Sequence, residues 1–269
     1  MKVVRLHWRR TGFLAIFLFF LTGAIVHAQT EPQTPPAARP AAEPGWQITM
    51  SPYLWLEGMN GNLNVTGHQV KIDQSFTDIM SHLKFGVMGL SEARHGKWGI
   101  LTDLLFARIG SQEAVAVEGL PNAVDVKATL TTLTFTPSAA YRVYENRRLS
   151  ADALAGIRFY HLGAELNVNA GASGKQYYSG SDNWVDGVAG GRLAMKLTPR
   201  VGAFLIGDAG AGGSKLTWQT VPGIGYKLTE RTTLQFGYRR LYTKRQHASV
   251  LATELTQQGF VLGAAFRLK

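Results

Sequence analysis

Seven ionisable residues sit within segments that otherwise alternate between large apolar and small or polar residues, all but Asp152 mid-strand. They are Asp103, Asp152, Asp186 and Asp208, with Arg158, Arg192 and Arg239. Each falls on the parity opposite the bulky apolar side chains of its segment. Glu92, Arg94, Arg142 and Arg267 fall on the same parity. Carboxylates and guanidiniums at such positions have two uses. They can pair as ions, because buried charge persists mainly when compensated. They can also line a polar interior and select solutes by charge. Asp186 is expected to be one half of such a pair, with Arg158, Arg192 and Arg239 as candidate partners.

Three other patterns were weighed as chemistry. His247-Ala248-Ser249 with Glu254 nearby is similar to the His-x-Ser arrangement of lipid A deacylases, where a histidine activates a serine nucleophile. The triplet lies beside Arg245 and Gln246 in an expected loop, and the rest of the chain does not resemble those enzymes. Gly207 to Gly213 is glycine-rich but lacks the Lys-Ser/Thr of a phosphate loop. His68, His82, His95, His161 and His247 show no His-x-x-x-His spacing, and no residue set asks for a metal or a cofactor.

These residues must be positioned by strands. From Thr232 to Tyr242 one parity carries Leu234, Phe236, Tyr238 and Tyr242, and the other Thr233, Gln235, Gly237 and Arg239. Phe260, Leu262, Ala264, Phe266 and Leu268 alternate with Gln257, Gly259, Val261, Gly263, Ala265 and Arg267. Val185, Ala189, Leu193, Met195 and Leu197 alternate with Asp186, Gly190, Arg192 and Lys196. Period-two alternation marks strands with two different faces. The segments run roughly 12 to 18 residues, longer than the usual ~5–6 of a globular strand and enough to cross a bilayer, which takes about 9–11. Charges on a lipid face cost about 2–4 kcal/mol for Arg or Lys at the midplane, so the charged parity belongs inside.

The pattern predicts an all-β fold, an antiparallel up-and-down transmembrane β-barrel. Strands are expected at Trp46–Glu57, Asn62–Val65, Gln69–Asp73, Lys84–Arg94, Trp98–Ile109, Val126–Tyr144, Leu149–Leu166, Asn183–Leu197, Val201–Gly212, Lys215–Thr229, Thr232–Thr243 and Leu255–Lys269. That is 12 strands. Ten spanning strands stay open, because the Asn62–Asp73 hairpin is too short to cross. Ser75–Leu83 is less β-like and is expected as a helical turn in the lumen or at a rim. Short turns at Arg94–Lys97, Glu145–Arg148, Thr198–Arg200 and Thr229–Arg231 alternate with longer connections near Gly110–Val124, Asn167–Asn183 and Lys244–Glu254, the short side being periplasmic in outer-membrane barrels. Trp46, Trp98, Tyr141, Trp184, Trp218, Tyr226 and Tyr242 are expected in the interfacial girdles.

The N-terminus sets the address. Lys2, Arg5, Arg9 and Arg10 precede an apolar run from Gly12 to Val26 and the small-x-small ending Val26-His27-Ala28. At 15 residues the run is short for a membrane-spanning helix, which needs about 20. Residues 1–28 read as a cleaved signal peptide, and no Cys at its end asks for a lipid anchor. Residues 29–45 hold five prolines and read as a disordered linker. Residues 46–269 form one barrel domain. The chain has no Cys, and its net charge of +10 falls to +6 once the four signal cations leave. The cations are scattered, so no nucleic-acid surface is expected.

Ser51-Pro52-Tyr53-Leu54-Trp55, Ser75-Phe76-Thr77-Asp78-Ile79, Gly89 through Trp98-Gly99-Ile100-Leu101-Thr102-Asp103, Leu216-Thr217-Trp218-Gln219, Gly223-Ile224-Gly225-Tyr226, Leu234-Gln235-Phe236-Gly237-Tyr238-Arg239 and Gly263-Ala264-Ala265-Phe266 occur in that order. The chain thereby resembles a group of uncharacterised proteobacterial outer-membrane β-barrel proteins across most of residues 46–269. The resemblance implies a fold and a location, not an activity. One departure is the end of the chain, where Arg267-Leu268-Lys269 follows Phe266 instead of a terminal aromatic. The expected function is therefore a non-enzymatic outer-membrane barrel, structural or a small passive channel. An envelope-lipid hydrolase and a loop-mediated receptor or adhesin are the alternatives. Expected partners are outer-membrane lipid, lipopolysaccharide and, through the last strand, the barrel-assembly machinery.

Overall fold

The computed structural model describes residues 45–65, 68–115, 124–169, 174–245 and 251–268. The expected signal peptide, most of the linker and the His247-Ala248-Ser249 triplet lie outside the described residues.

The strands are β1 (Gln47–Val65), β2 (His68–Gln74), β3 (Leu83–His95), β4 (Trp98–Val115), β5 (Val124–Glu145), β6 (Leu149–Asn169), β7 (Lys175–Lys196), β8 (Val201–Gly212), β9 (Leu216–Lys227), β10 (Thr232–Lys244) and β11 (Leu251–Arg267), with helix α1 (Phe76–His82) between β2 and β3. All pairings are antiparallel. Neighbours in sequence are neighbours in the sheet, and β11 returns to β1 from Thr49↔Arg267 to Val65↔Leu251, which closes the barrel. The closing ring has ten strands, because β2 pairs only with the far end of β1, from Met59↔Gln74 to Val65↔His68.

Of the two expected counts, 12 and 10 spanning strands, the ring has ten. Trp46–Glu57 and Asn62–Val65 are one continuous strand, since Gly58 and Gly61 do not break the ladder with β11. Two loops are corrected as well. Around Gly110–Val124 and Asn167–Asn183 the strands run on, pairing to Val115↔Val124 and Asn169↔Lys175. Beyond the lipid a strand no longer needs an apolar face, so its ladder continues while its alternation fades. Tyr177 and Tyr178 still suit the pleat.

The turns at one end follow from side chains that imitate backbone. Asn146 Oδ1 accepts from the amides of Arg148 and Leu149. Thr198 Oγ1 serves Arg200 and Val201, and Thr229 Oγ1 serves Arg231 and Thr232. Such local bonds favour turns over continued strand. In the β3–β4 turn, Gly96 has φ +57°, a conformation that costs glycine least.

The outer face is apolar. Leu54, Ile100, Ile157, Leu193, Leu205, Ile224, Phe236, Phe260 and Leu262 are all exposed. So many exposed large side chains suit hydrocarbon, not water. Trp98 and Tyr141 pair at the turn end, and Trp218 and Tyr242 at the loop end, with ring centroids 4.7 and 5.9 Å apart. Trp184, expected in a girdle, instead points inward. It stacks on Tyr160 and donates to Ser214 Oγ.

The wall has one short seam. β1 and β3 pair only from Gln47↔Arg94 to Pro52↔Gly89. Further along, the amide of Trp55 donates to the sulfur of Met88 at 3.3 Å, and β2 and α1 occupy the space where β3 would have continued. Helix α1 starts on a capping box, Ser75 with Asp78, and its buried Ile79 packs on Met59 and Ile109 at the loop end of the lumen.

Candidate functional site: the barrel lumen

The inward parity brings the predicted charges together in layers. Nearest the turns, Arg192 reaches Glu92 Oε2 at 2.7 Å and Asp152 Oδ2 at 2.6 Å. Arg94 binds Glu92 at 2.9 Å and Asp152 at 3.2 Å, and Arg142 binds Asp152 at 2.5 Å. One layer further in, Arg239 meets Asp103 at 2.8 Å. Tyr53 donates its hydroxyl to Asp103 and accepts from Arg239. Beside it, Arg158 holds both oxygens of Asp208, at 2.8 and 2.9 Å, and also reaches Thr136. Gln219 donates to the same carboxylate. Arg192 grips Glu92 through two nitrogens and two oxygens, and such forked guanidinium–carboxylate contacts are among the stronger polar contacts in proteins.

Six of the seven predicted residues are therefore in ion pairs: Asp103, Asp152, Arg158, Arg192, Asp208 and Arg239. Asp186 is the exception. It is buried and faces Arg158 across the β6–β7 ladder, yet its Oδ1 accepts the backbone amide of Ser214 at 2.6 Å. The short β8–β9 connection leaves that amide without a strand partner, and a carboxylate satisfies it. Arg158 turns instead to Asp208. The expectation of an arginine partner for Asp186 is corrected accordingly.

Three contacts span the lumen as chords. Glu92–Arg192 joins β3 to β7, Asp103–Arg239 joins β4 to β10, and Tyr160–Thr243 joins β6 to β10 at 3.3 Å. Each pair of strands is four places apart in a ring of ten. The diametric partner would be five away, so these chords cross nearly the full width. Eight of the ten strands place a buried inward residue near mid-height: Trp55, Leu105, Thr134, Arg158, Asp186, Thr217, Leu241 and Gln257. Trp55, Leu105 and Leu241 touch one another, with Met88 packed against them. Arg158, Asp186 and Thr217 are 0% exposed, which leaves no water-sized path beside them.

On the turn side of these buried residues the lumen is hollow. A cavity of about 890 Å³ opens between the β5–β6, β7–β8 and β9–β10 turns. Its floor holds Tyr53, Asp103, Asp208 and Arg239, and its mouth holds Arg148, Lys196, Arg200 and Arg267.

The remaining candidates are accounted for by packing. Glu254 takes the hydroxyl of Tyr242 at 2.8 Å and the ammonium of Lys244 at 3.1 Å. The glycines of residues 207–213 let strands approach: a Cβ on Gly210 would strike the carbonyl of Gly187. Tyr53, Glu57, Thr136, Tyr160, Thr217 and Gln219, none of them among the expected lumen residues, are also engaged in the lumen. For Tyr53 and Glu57 the signal was available. Leu54 and Leu56 on the lipid parity put Tyr53, Trp55 and Glu57 inside.

No family model matches the sequence, and no curated protein matches it. Among solved structures, the chain is similar to Ail, the attachment invasion locus protein of Yersinia pestis in complex with a heparin analogue. Identity is 13% and the TM-score 0.39, over 84% of this chain and 99% of that one. The translocator domain of the autotransporter NalP from Neisseria meningitidis aligns at 11% identity and TM-score 0.37, over 83% and 88%. The toluene transporter TodX of P. putida aligns at 11% and 0.35, over 85% and 90%.

Proposed function

We propose that this chain is a non-enzymatic outer-membrane barrel whose lumen is sealed at mid-height: a structural barrel with a turn-side cavity, not a constantly open channel. The observation that carries the reading is the set of chords Glu92–Arg192, Asp103–Arg239 and Tyr160–Thr243 above and within a ring of buried inward residues. The apolar exterior, the charged interior and the even strand number support the membrane address. Short turns on the side of both barrel termini support a periplasmic orientation for that side. Outer-membrane lipid and lipopolysaccharide would contact the apolar face, and the assembly machinery would read β11. The chain would then sit with the proteobacterial barrel group that its motifs resemble.

The test is conductance in planar bilayers, alongside fractionation. The protein should be heat-modifiable and found in the outer-membrane fraction, with no steady conductance. Trp55→Ala combined with Leu241→Ala, which empties part of the buried ring, should produce one. A steady wild-type conductance would replace the sealed barrel by a passive channel. Recovery from the soluble periplasm would overturn the membrane reading altogether.

A further inference from the structure

The cavity is more basic than a sealed lumen needs. Its acids are already engaged. Glu92 is bound by Arg94 and Arg192, Asp103 by Arg239 and Asp208 by Arg158. At the mouth, Glu145 is taken by Arg142, and Glu230 by Lys227 at 2.7 Å. The Lys227 ammonium holds the Glu230 carboxyl below the usual carboxylate range, with Arg267 adding to the effect, so this acid stays charged and occupied. Arg148, Lys196 and Arg200 line the same mouth, and among the described residues no carboxylate forms an ion pair with them.

The backbone brings cations of the mouth together in two pairs, Arg148 with Lys196 and Arg200 with Lys227. The amide of Lys196 donates to the carbonyl of Arg148 at 2.7 Å, and the amide of Lys227 to that of Arg200 at 2.8 Å. Like charges held as neighbours repel, and an anion between them relieves the repulsion. Direction matters too. Lys196 shares the inward parity of Asp186 and Arg192, and Lys227 that of Thr217 and Gln219. Charges aimed at lipid headgroups would sit on the other parity. The cavity is within the usual ~300–1,000 Å³ of small-molecule sites. Its low-dielectric walls focus the field of the mouth inward.

We infer that the turn-side cavity binds a small multivalent oxyanion, of the phosphate, sulfate or polycarboxylate class, entering from the turn side. The inference deepens the sealed-barrel reading, because a blind cavity retains its ligand where a channel would pass it on. Arginines would fork onto its oxygens, and the ligand would lie between Arg148, Lys196 and Arg200.

The experiment is titration calorimetry of the full barrel in neutral detergent, with tripolyphosphate as the probe. Saturable one-to-one binding is expected, weakening as salt rises. Lys196→Glu with Arg200→Glu should weaken it at least tenfold, and the neutral pair Lys196→Gln with Arg200→Gln should weaken it less. Arg231→Glu, in a neighbouring turn but outside the cavity lining, should leave it unchanged. Heat modification checks that each variant is folded. Absence of binding to the folded wild type would overturn the site. So would equal loss in Arg231→Glu, which would mean a diffuse field. Binding to phosphatidylglycerol vesicles but not to tripolyphosphate would assign the charges to lipid headgroups and overturn it as well. Conductance is measured separately. Binding together with an open pore would retire the seal and keep the site.

Discussion

The two halves of the lumen solve opposite problems. Toward the loops, part of the lumen is filled by apolar residues that touch, Met59, Ile79 and Ile109, then Trp55, Leu105 and Leu241, beside polar contacts such as Tyr160–Thr243 and Arg245–Asp182. Toward the turns the inward residues are charged and bridge the lumen beside a cavity, through Arg94, Arg142, Asp152, Arg192 and Glu92. Between them lies the layer where both meet, with Arg239 set over the ring of Trp55 at 4.9 Å. The difference teaches how a barrel with a lipid exterior closes itself. Apolar filling excludes water, but it has little geometric preference, because hydrophobic attraction has no direction. Forked ion pairs add direction, at the cost of desolvating charge. Here the apolar plug needs α1 to complete it, whereas the ionic layers are built from the wall alone.

The largest expected effect is at the boundary. Arg158 is fully buried and Asp208 nearly so. Arg158→Met leaves the carboxylate of Asp208 with Gln219 as its remaining partner, a loss on the scale of about 3–5 kcal/mol for a broken buried pair. The unfolding temperature read by gel heat modification should fall sharply. Asp208→Leu added to it should recover much of the loss, because the pair would then be replaced, not broken. Additive effects in this cycle would mean that the apolar half alone holds the barrel closed, and the comparison would fail.

A smaller effect tests which face is which. Phe236 points outward and stacks on Phe260 with centroids 5.5 Å apart. Gln235, one residue away, lines the cavity. Phe236→Arg should cost about 2–4 kcal/mol if it lies near the midplane, seen as poor assembly into the heat-modifiable form. Gln235→Arg adds a charge to a wet basic cavity and should assemble normally. Equal tolerance would contradict the assigned parity.

Much of this was legible one strand at a time. Alternation around Phe236 and Leu193 fixed the inward parity of Arg239 and Arg192, because a strand's two faces are set by period two. Pairing was not legible. Asp103 and Arg239 meet across four strands, and that juxtaposition depends on the stagger of the closed ring, which no local pattern carries. Asp186 shows the same limit from the other side. Its partner is a backbone amide exposed by a tight connection, and sequence spacing gives no hint of an unpaired N–H. The break expected between Glu57 and Asn62 does not occur, because the ladder with β11 carries Gly58 to Gly61 through, which settles the two expected counts at ten. The cavity was invisible for a related reason: its lining is drawn from turns and strands far apart in sequence, and which of them face one another depends on closure of the ring.

The smallest effect separates ion pairs that resemble each other on paper. Lys227–Glu230 at the cavity mouth is 2.7 Å long, as tight as Arg158–Asp208. Yet the side chain of Glu230 is 88% exposed, against 0% for Arg158. Water and salt screen the first pair and cannot reach the second, so equal distances hide unequal energies. Lys227→Ala should leave the heat-modification temperature unchanged within error, in low salt as in high. The sign with pH is also fixed. Glu230 has a lowered carboxyl pKa in the folded barrel, so any contribution it makes is present above the unfolded carboxylate pKa and fades as pH falls through the folded value. A wild-type minus Lys227→Ala difference that grew toward acid pH would contradict that sign. A large drop at neutral pH would mean that the turn, not the buried layer, holds this half together.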